Sequence, residues 1–472
     1  MSKTALWTAE EVAQATGGRM GAPFVATGVS IDSRNIAQGD LFVALQGPSF
    51  DGNDYVAAAQ RAGAAGALVS RPFEGAVVQV DDTLAGLCAL AATARQRSAA
   101  KVVAVTGSVG KTSTKEGLAR VFAAQGRAHA TAGNLNNHWG LPLSVARMPA
   151  DTQYAVFEMG MNHAGEIAPL SVLARPHVAI VTTVEAVHLE NFADISGIAD
   201  AKAEIFAGLE PGGTAVLNRD NGQFERLAAA ARARGASVLS FGEHGAAEAR
   251  LIKVALHGSC SCVAAEIMGQ AITYKIGAPG RHWVMNSLAI LAATRLVGGD
   301  LGLAGLALAE IAAPEGRGKR HQANIGANLF ELIDDSYNAS PASMRAAFAI
   351  LAAAKPGPRG RRIAVLGDML ELGPEAAALH AGLAADLDAA KVDRVFTAGP
   401  LMQHLHDALP PQRRGAHGAK SIDLVAPLLD QLRGGDVVLV KGSHGSRMHL
   451  VVEALLADGG RTNGNHRHAA RG

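Results

Sequence analysis

Cysteine is scarce in this 472-residue chain: Cys88, Cys260 and Cys262 are all it has. Three cannot form a disulfide framework, which fits a reducing compartment, the cytoplasm. Around Cys260-Ser261-Cys262 a third and a fourth ligand are not both evident nearby in sequence, so two cysteines on one face of a strand is the simpler reading than a metal grip. An excess of charge of either sign is missing too. Lys and Arg number 43 against 42 Asp and Glu, a net charge of +1. That gives no electrostatic case for nucleic acid or an acidic surface as the main partner. No uninterrupted apolar run reaches the ~20 residues of a membrane span. The N-terminus, MSKTALWTAEEVAQATGG, has no apolar core of signal-peptide length. These absences leave a soluble chain, long enough for two to four domains with cores of their own.

What the chain does have is a phosphate cradle. In VVAVTGSVGKTSTKEGLARVF (102–122), four apolar residues read as a strand buried on both faces. Gly107 and Gly110 break the run, Lys111-Thr112 follows, and Leu118, Val121 and Phe122 recur at helical spacing. Such a turn points backbone N–H groups and a helix N-terminus at an anion, with the Lys111 ammonium on the outer phosphates and the Thr112 hydroxyl on Mg²⁺. The usual G-x-x-x-x-G-K-[ST] pattern is not met, because Val105 stands where the first glycine belongs. Taken alone, the stretch also fits an ordinary glycine-rich turn with a surface lysine.

Around it the chain falls into blocks. Thr8 and Glu11 have capping-box spacing before a first helix, and short alternating strands follow up to about residue 98. Ser33 and Arg34 sit on a loop there; Arg34 can hold a phosphate, although a solvated turn is the simpler reading. From about 100 to 315, apolar runs alternate with helical stretches, as in a parallel, doubly wound sheet with ligands beyond its carboxyl ends. Glu158 closes one such strand, where a carboxylate suits Mg²⁺. His188 follows another, Lys202 lies on a helix, and TAGNLNN (131–137) is a polar loop. From 319 a second set of strands and helices begins, with Ser340-Pro341 as N-cap and first-turn proline. Residues 461–472 read as a flexible tail.

Nine segments in order resemble the Mur ligase family over nearly the whole chain. They are TGSVGKTS (106–113), GNLNNHWGLP (133–142), EMGMNHAGEI (158–167), AVHLENF (186–192), AKAEI (201–205), GRHWVMNSLAILAA (280–293), DDSYNASPASM (334–344), GDMLELG (367–373) and VLVKGSHGSRM (438–448). The first matches that family's shortened phosphate loop. DDSYNASPASM and GDMLELG are typical of the branch that adds D-alanyl-D-alanine. The Asp-Asn-Pro-Arg signature of the branch that adds the third residue is absent after Gly373. The N-terminal DSR (32–34) and GDLFVAL (39–45) resemble a uridine-nucleotide-binding domain, which the related folylpolyglutamate synthases lack.

The resemblance implies an α/β protein of three domains: a UDP-substrate domain (1–98), a central ATPase domain with a doubly wound, mostly parallel sheet (99–318), and a Rossmann-like domain for the amino substrate (319–460). It implies ATP-dependent amide synthesis through an acyl phosphate, joining D-alanyl-D-alanine to a UDP-N-acetylmuramoyl-tripeptide in peptidoglycan precursor synthesis, by a monomer. Gly107, Ser108, Val109, Gly110, Lys111, Thr112 and Ser113 would hold the triphosphate. Thr112 and Glu158 would bind one Mg²⁺, and His188 would contribute to a second, with Lys202 carbamylated into an anion. Asn286, Arg317 and Asp335 would meet adenine, phosphate and ribose. Ser33 and Arg34 would take the uridine diphosphate end, Asn134 and Asn137 would be substrate-binding, and Tyr337, Asn338 and Ser340 would border the dipeptide. Two residues depart from the family pattern: Trp283 replaces an asparagine and His444 an arginine. From the residues alone, a P-loop switch that hydrolyses nucleotide without making a bond stays open, as does the ligase adding the third amino acid.

Overall fold

The computed structural model describes residues 4–186, 190–326 and 328–461. His188 lies outside that set. Of the expected tail, Arg461 belongs to the last helix, His449–Arg461, and the remainder also lies outside it. Three main sheets follow one another along the chain: five strands between residues 19 and 79, nine between 101 and 276, and six between 319 and 441.

The nine-stranded sheet explains the apolar run that opens the phosphate loop. Its Lys101–Thr106 strand pairs in parallel with Tyr154–Glu158 on one side and Val178–Val181 on the other. Val102 and Ala104 pack into one core and Val103 and Val105 into another, so all four are buried. A strand covered on both faces has no polar side to show, hence the absence of alternation. Because the chain leaves this strand first to one side and then to the other, its carboxyl end is a topological switch point, where a crevice opens.

The sheet is not parallel throughout. Ala249–Leu256, Ser261–Ile267 and Gln270–Ile276 form an antiparallel extension. Cys262 lies in the middle strand, but Cys260 sits before it in the turn, its carbonyl accepting from His257 N. The expectation of two cysteines on one strand face therefore fails: a hairpin turn consumes the residue that would have continued the strand.

In the six-stranded sheet, Lys319–Ile325 runs antiparallel to Asn328–Asp335, and the remaining strands are parallel. The caps fall where the sequence puts them. Thr8 and Glu11 exchange bonds across the first helix turn, and Ser340 caps Pro341–Ala353 with Ser343 as its reciprocal partner. Trp7 joins the first block to the second: its Nε1 donates to Ala146 O at 2.9 Å and the Arg97 guanidinium stacks on its ring at 4.0 Å.

Candidate nucleotide and ligation site

At the switch point the Thr106–Gly110 segment turns the chain from strand into the Lys111–Ala123 helix. Gly107 has φ of 145°, and a Cβ there would lie 1.9 Å from Thr182 Oγ1, so no larger residue fits this close approach. That threonine hydroxyl donates to Val109 O at 2.6 Å, while Ser108 N donates to Thr183 O at 2.9 Å; the loop is thus tied to the end of the neighbouring strand. Gly110 (φ 87°) begins the helix with no side-chain cap, leaving the first-turn N–H groups for an incoming anion. Lys111 Nζ meanwhile folds back on Gly107 O at 2.6 Å. Burial pulls the Lys111 ammonium below the usual lysine range, opposed by the charge of Glu158 and reinforced by that of Arg317.

The loop faces a cavity of about 810 Å³ between the nine- and six-stranded sheets. Ser108 to Ser113, Asn134, Glu158, Asn286, Arg317, Asp335, Tyr337, Asn338 and Ser340 all line it. Glu158 ends its strand directly opposite Val105 and is 1% exposed. Its Oε1 accepts from Asn136 Nδ2 at 2.8 Å and from the Thr112 hydroxyl at 3.3 Å, whereas its Oε2 is buried with no partner. A buried, unbonded carboxylate oxygen beside a hydroxyl is the donor set a hard divalent cation takes. Asn286 Nδ2 is likewise buried and unbonded.

The opposite wall belongs to the six-stranded sheet. Arg317 stacks on the Tyr337 ring at 4.2 Å, and the His444 ring lies 5.6 Å beyond Tyr337. Asp335 and Lys441 end paired strands, and Lys441 Nζ donates to Asp335 Oδ2 at 2.7 Å and to Asn338 O at 2.9 Å. Burial raises the Asp335 carboxyl above the usual range, with the Lys441 and Arg317 charges working against the rise. His282, on the Arg281–Leu296 helix, is pushed down to about 4 by burial and by Lys441.

Several residues singled out from sequence stand elsewhere. Asn137 does not line the cavity; its Oδ1 accepts from Trp139 N and Gly140 N at the start of the next helix. Its neighbour Asn136, not singled out, makes the bond to Glu158. Ser33 and Arg34 are in the first block, outside the cavity lining, and Arg34 is held by Asp32 through two 2.9 Å bonds. Lys202 is 2% exposed and also outside the lining; burial, with repulsion from Lys111, puts its amine well below the ordinary lysine value. Trp283 is buried in the core of the central sheet, and His444 is on the cavity wall. Lys441 and His282 sit inside motifs quoted above, but only the cavity reveals their position.

A glycine turn feeding an uncapped helix N-terminus, at the switch point of a parallel sheet and beside an unbonded carboxylate oxygen, defines a P-loop nucleotide-binding protein. Comparison with known proteins narrows the class. Residues 25–109 match "Mur ligase family, catalytic domain", 105–294 "Mur ligase middle domain" and 316–444 "Mur ligase, glutamate ligase domain". The UDP-N-acetylmuramoyl-tripeptide–D-alanyl-D-alanine ligase of Escherichia coli (strain K12) is 37% identical over 450 residues, 94% of this chain and 96% of that one. The enzyme of the same name from Bacillus subtilis (strain 168) is 34% identical over 466 residues, 95% and 98% of the two chains. A crystal structure of MurF from Acinetobacter baumannii superimposes with a TM-score of 0.83 at 30% identity, covering 96% of this chain and 99% of that one. The chain belongs to the Mur ligase family.

Proposed function

We propose that this chain is the ATP-dependent ligase that joins D-alanyl-D-alanine to a UDP-N-acetylmuramoyl-tripeptide in peptidoglycan precursor synthesis. Full-length similarity to enzymes of that name supports it, as does the likeness to MurF from Thermotoga maritima in complex with ADP, TM-score 0.78 at 27% identity. The observation that carries the reading is the phosphate loop opening onto a cavity whose far wall is a second sheet. A ligase needs such a wall for its amine substrate, and a hydrolytic switch does not.

The reaction divides into two transfers. A carboxylate oxygen of the tripeptide attacks the γ-phosphorus of ATP, the P–O bond to ADP breaks, and an acyl phosphate results. The free amine of D-alanyl-D-alanine then attacks the acyl carbon, the C–O bond to phosphate breaks, and the nitrogen loses its proton. Phosphoryl transfer calls for alignment and charge neutralisation rather than covalent help. The uncapped N–H groups from Gly110 to Ser113 would hold the β- and γ-phosphates, and Lys111, released from Gly107 O, would follow the charge to the transferring group. Arg317 would meet phosphate, Asn286 the adenine through its unbonded Nδ2, and Asp335 the ribose. Tyr337, Asn338 and Ser340 would border the dipeptide. Asn134 would border the substrate, and Ser33 with Arg34 would take the uridine diphosphate end once Arg34 exchanges Asp32 for phosphate.

Glu158 Oε2 and the Thr112 hydroxyl fit one Mg²⁺. When bound, it neutralises charge on the β- and γ-oxygens. Among the described residues no group of three or more His, Cys, Asp or Glu side chains is placed to hold a metal. By likeness to the family, a second Mg²⁺ would fall to His188, which lies outside the described residues, and to Lys202. By the same likeness, the buried Lys202 amine would add CO₂ through its nitrogen and release a proton to become a carbamate, replacing repulsion of Lys111 with attraction. Phosphate release tests the function: it should require tripeptide and D-alanyl-D-alanine together, with lysine and diaminopimelate as inactive amines. Release with no amine, or only with lysine or diaminopimelate, overturns it.

A further inference from the structure

The 131–137 segment is neither helix nor strand, yet it delivers the side chain that touches Glu158. It must be held in shape from outside. Its anchor is Lys115, one turn into the phosphate-loop helix and 1% exposed. Lys115 Nζ donates to Thr131 O at 3.0 Å and Gly133 O at 3.3 Å, and pairs with the partly exposed Glu116 carboxylate. An ammonium group taken from water is costly unless its three donors find acceptors, and here three oxygens receive them. The segment then grips the strand end twice: Glu158 N donates to Thr131 Oγ1 at 3.2 Å, and Asn136 Nδ2 donates to Glu158 Oε1 at 2.8 Å. Gly160 N closes the contact on Asn136 O at 2.9 Å.

We propose that Lys115 is a positioning residue for the metal-binding carboxylate: it fixes the 131–136 segment so that Asn136 occupies Glu158 Oε1 and leaves Oε2 for the divalent cation. This rests on the nucleotide reading above. Without the anchor, Asn136 no longer holds Oε1, and the carboxylate is free to rotate and turn either oxygen to the Thr112 hydroxyl. The two halves of the route lie on different elements, so removing either should cost the same thing once.

Mn²⁺ binding in the presence of ADP, read by electron paramagnetic resonance, tests this directly, with ADP affinity measured separately in EDTA. Lys115→Met and Asn136→Ala should each weaken Mn²⁺ by about tenfold, the usual scale for losing a group that orients a metal ligand. The double variant should be no weaker than the poorer single variant, and metal-free ADP affinity should stay within about twofold of wild type. Unchanged Mn²⁺ affinity in Lys115→Met, or losses that multiply in the double variant, would overturn the proposal. Should Lys115→Met fail to fold, Lys115→Gln, which keeps an amide donor, decides in the same titration: an intermediate loss supports the route and no loss refutes it. A wild-type protein that binds no ADP in EDTA indicts the nucleotide reading instead.

Discussion

Replacing Lys441 by Met removes the counter-charge of a carboxylate that cannot easily do without it. Lys441 is 2% exposed and the Asp335 side chain 21%, at 2.7 Å. At an effective dielectric near 20, charges about 3 Å apart attract by roughly 5–6 kcal/mol, most of which desolvation has already consumed. Breaking a buried pair from one side costs about 3–5 kcal/mol. With a fifth of Asp335 still in water, about 2–4 kcal/mol is expected at neutral pH. The pair joins the ends of two neighbouring strands, so the loss should appear locally, in native-state hydrogen exchange over Asn328–Asp335 and Val437–Lys441. Its pH dependence has a definite sign. Asp335 already has a raised carboxyl pKa, and losing Lys441 raises it further. A carboxyl whose folded pKa exceeds its unfolded value favours folding below the unfolded value and loses that contribution as pH rises through the folded one. The deficit of Lys441→Met should therefore be small near pH 4 and full at neutrality. The double variant Lys441→Met with Asp335→Asn carries neither charge and should recover at least half of the loss. A double variant as unstable as Lys441→Met, or a deficit that grows on acidification, would refute this reasoning.

Lys111→Met should abolish phosphoryl transfer, losing at least about 10³-fold in kcat by removal of one charge from the transferring group; near-normal turnover would remove it from the site. His282 contributes the opposite pH sign to Asp335. Its folded pKa, about 4, lies below the unfolded value near 6.5, so the neutral ring favours the fold above pH 6.5 and that contribution is lost as pH falls towards 4, by at most about 3 kcal/mol. His282→Gln should flatten the acid limb of a urea-stability profile by up to that amount, and an unchanged limb would count against it. Gly107→Ala would drive a methyl group into Thr182 at a tethered loop, and about 2–4 kcal/mol of destabilisation should follow from overpacking and backbone strain together. A thermal shift of less than a degree would show that the turn can yield.

How far the sequence speaks for the site depends on whether neighbours along the chain are also neighbours in space. The phosphate loop was legible because strand, glycines, lysine and helix lie within about twenty residues, and each has a local signature. The Thr8 and Ser340 caps were legible for the same reason. Asn136 was not. In a run of asparagines without periodicity, only the path of the loop decides that Asn136 turns to Glu158 while Asn137 turns to the next helix. The Lys441–Asp335 pair joins residues 106 apart, and nothing local marks either as the other's partner. The antiparallel strands from 249 to 276 were missed because one face is partly exposed and the apolar run is broken. Ser33 and Arg34 stand out only by likeness to the uridine-binding segment, and that likeness does not show the local Asp32 contact.

In the proposed reaction the acceptor carboxylate itself is phosphorylated before the amine attacks the acyl carbon. Labelling that carboxylate with ¹⁸O and analysing the released phosphate by mass spectrometry follows the atom concerned. One labelled oxygen should appear in each phosphate formed during ligation, because the bond broken by the amine is the one between acyl carbon and that oxygen. Phosphate that carries no label while amide product accumulates would contradict the account.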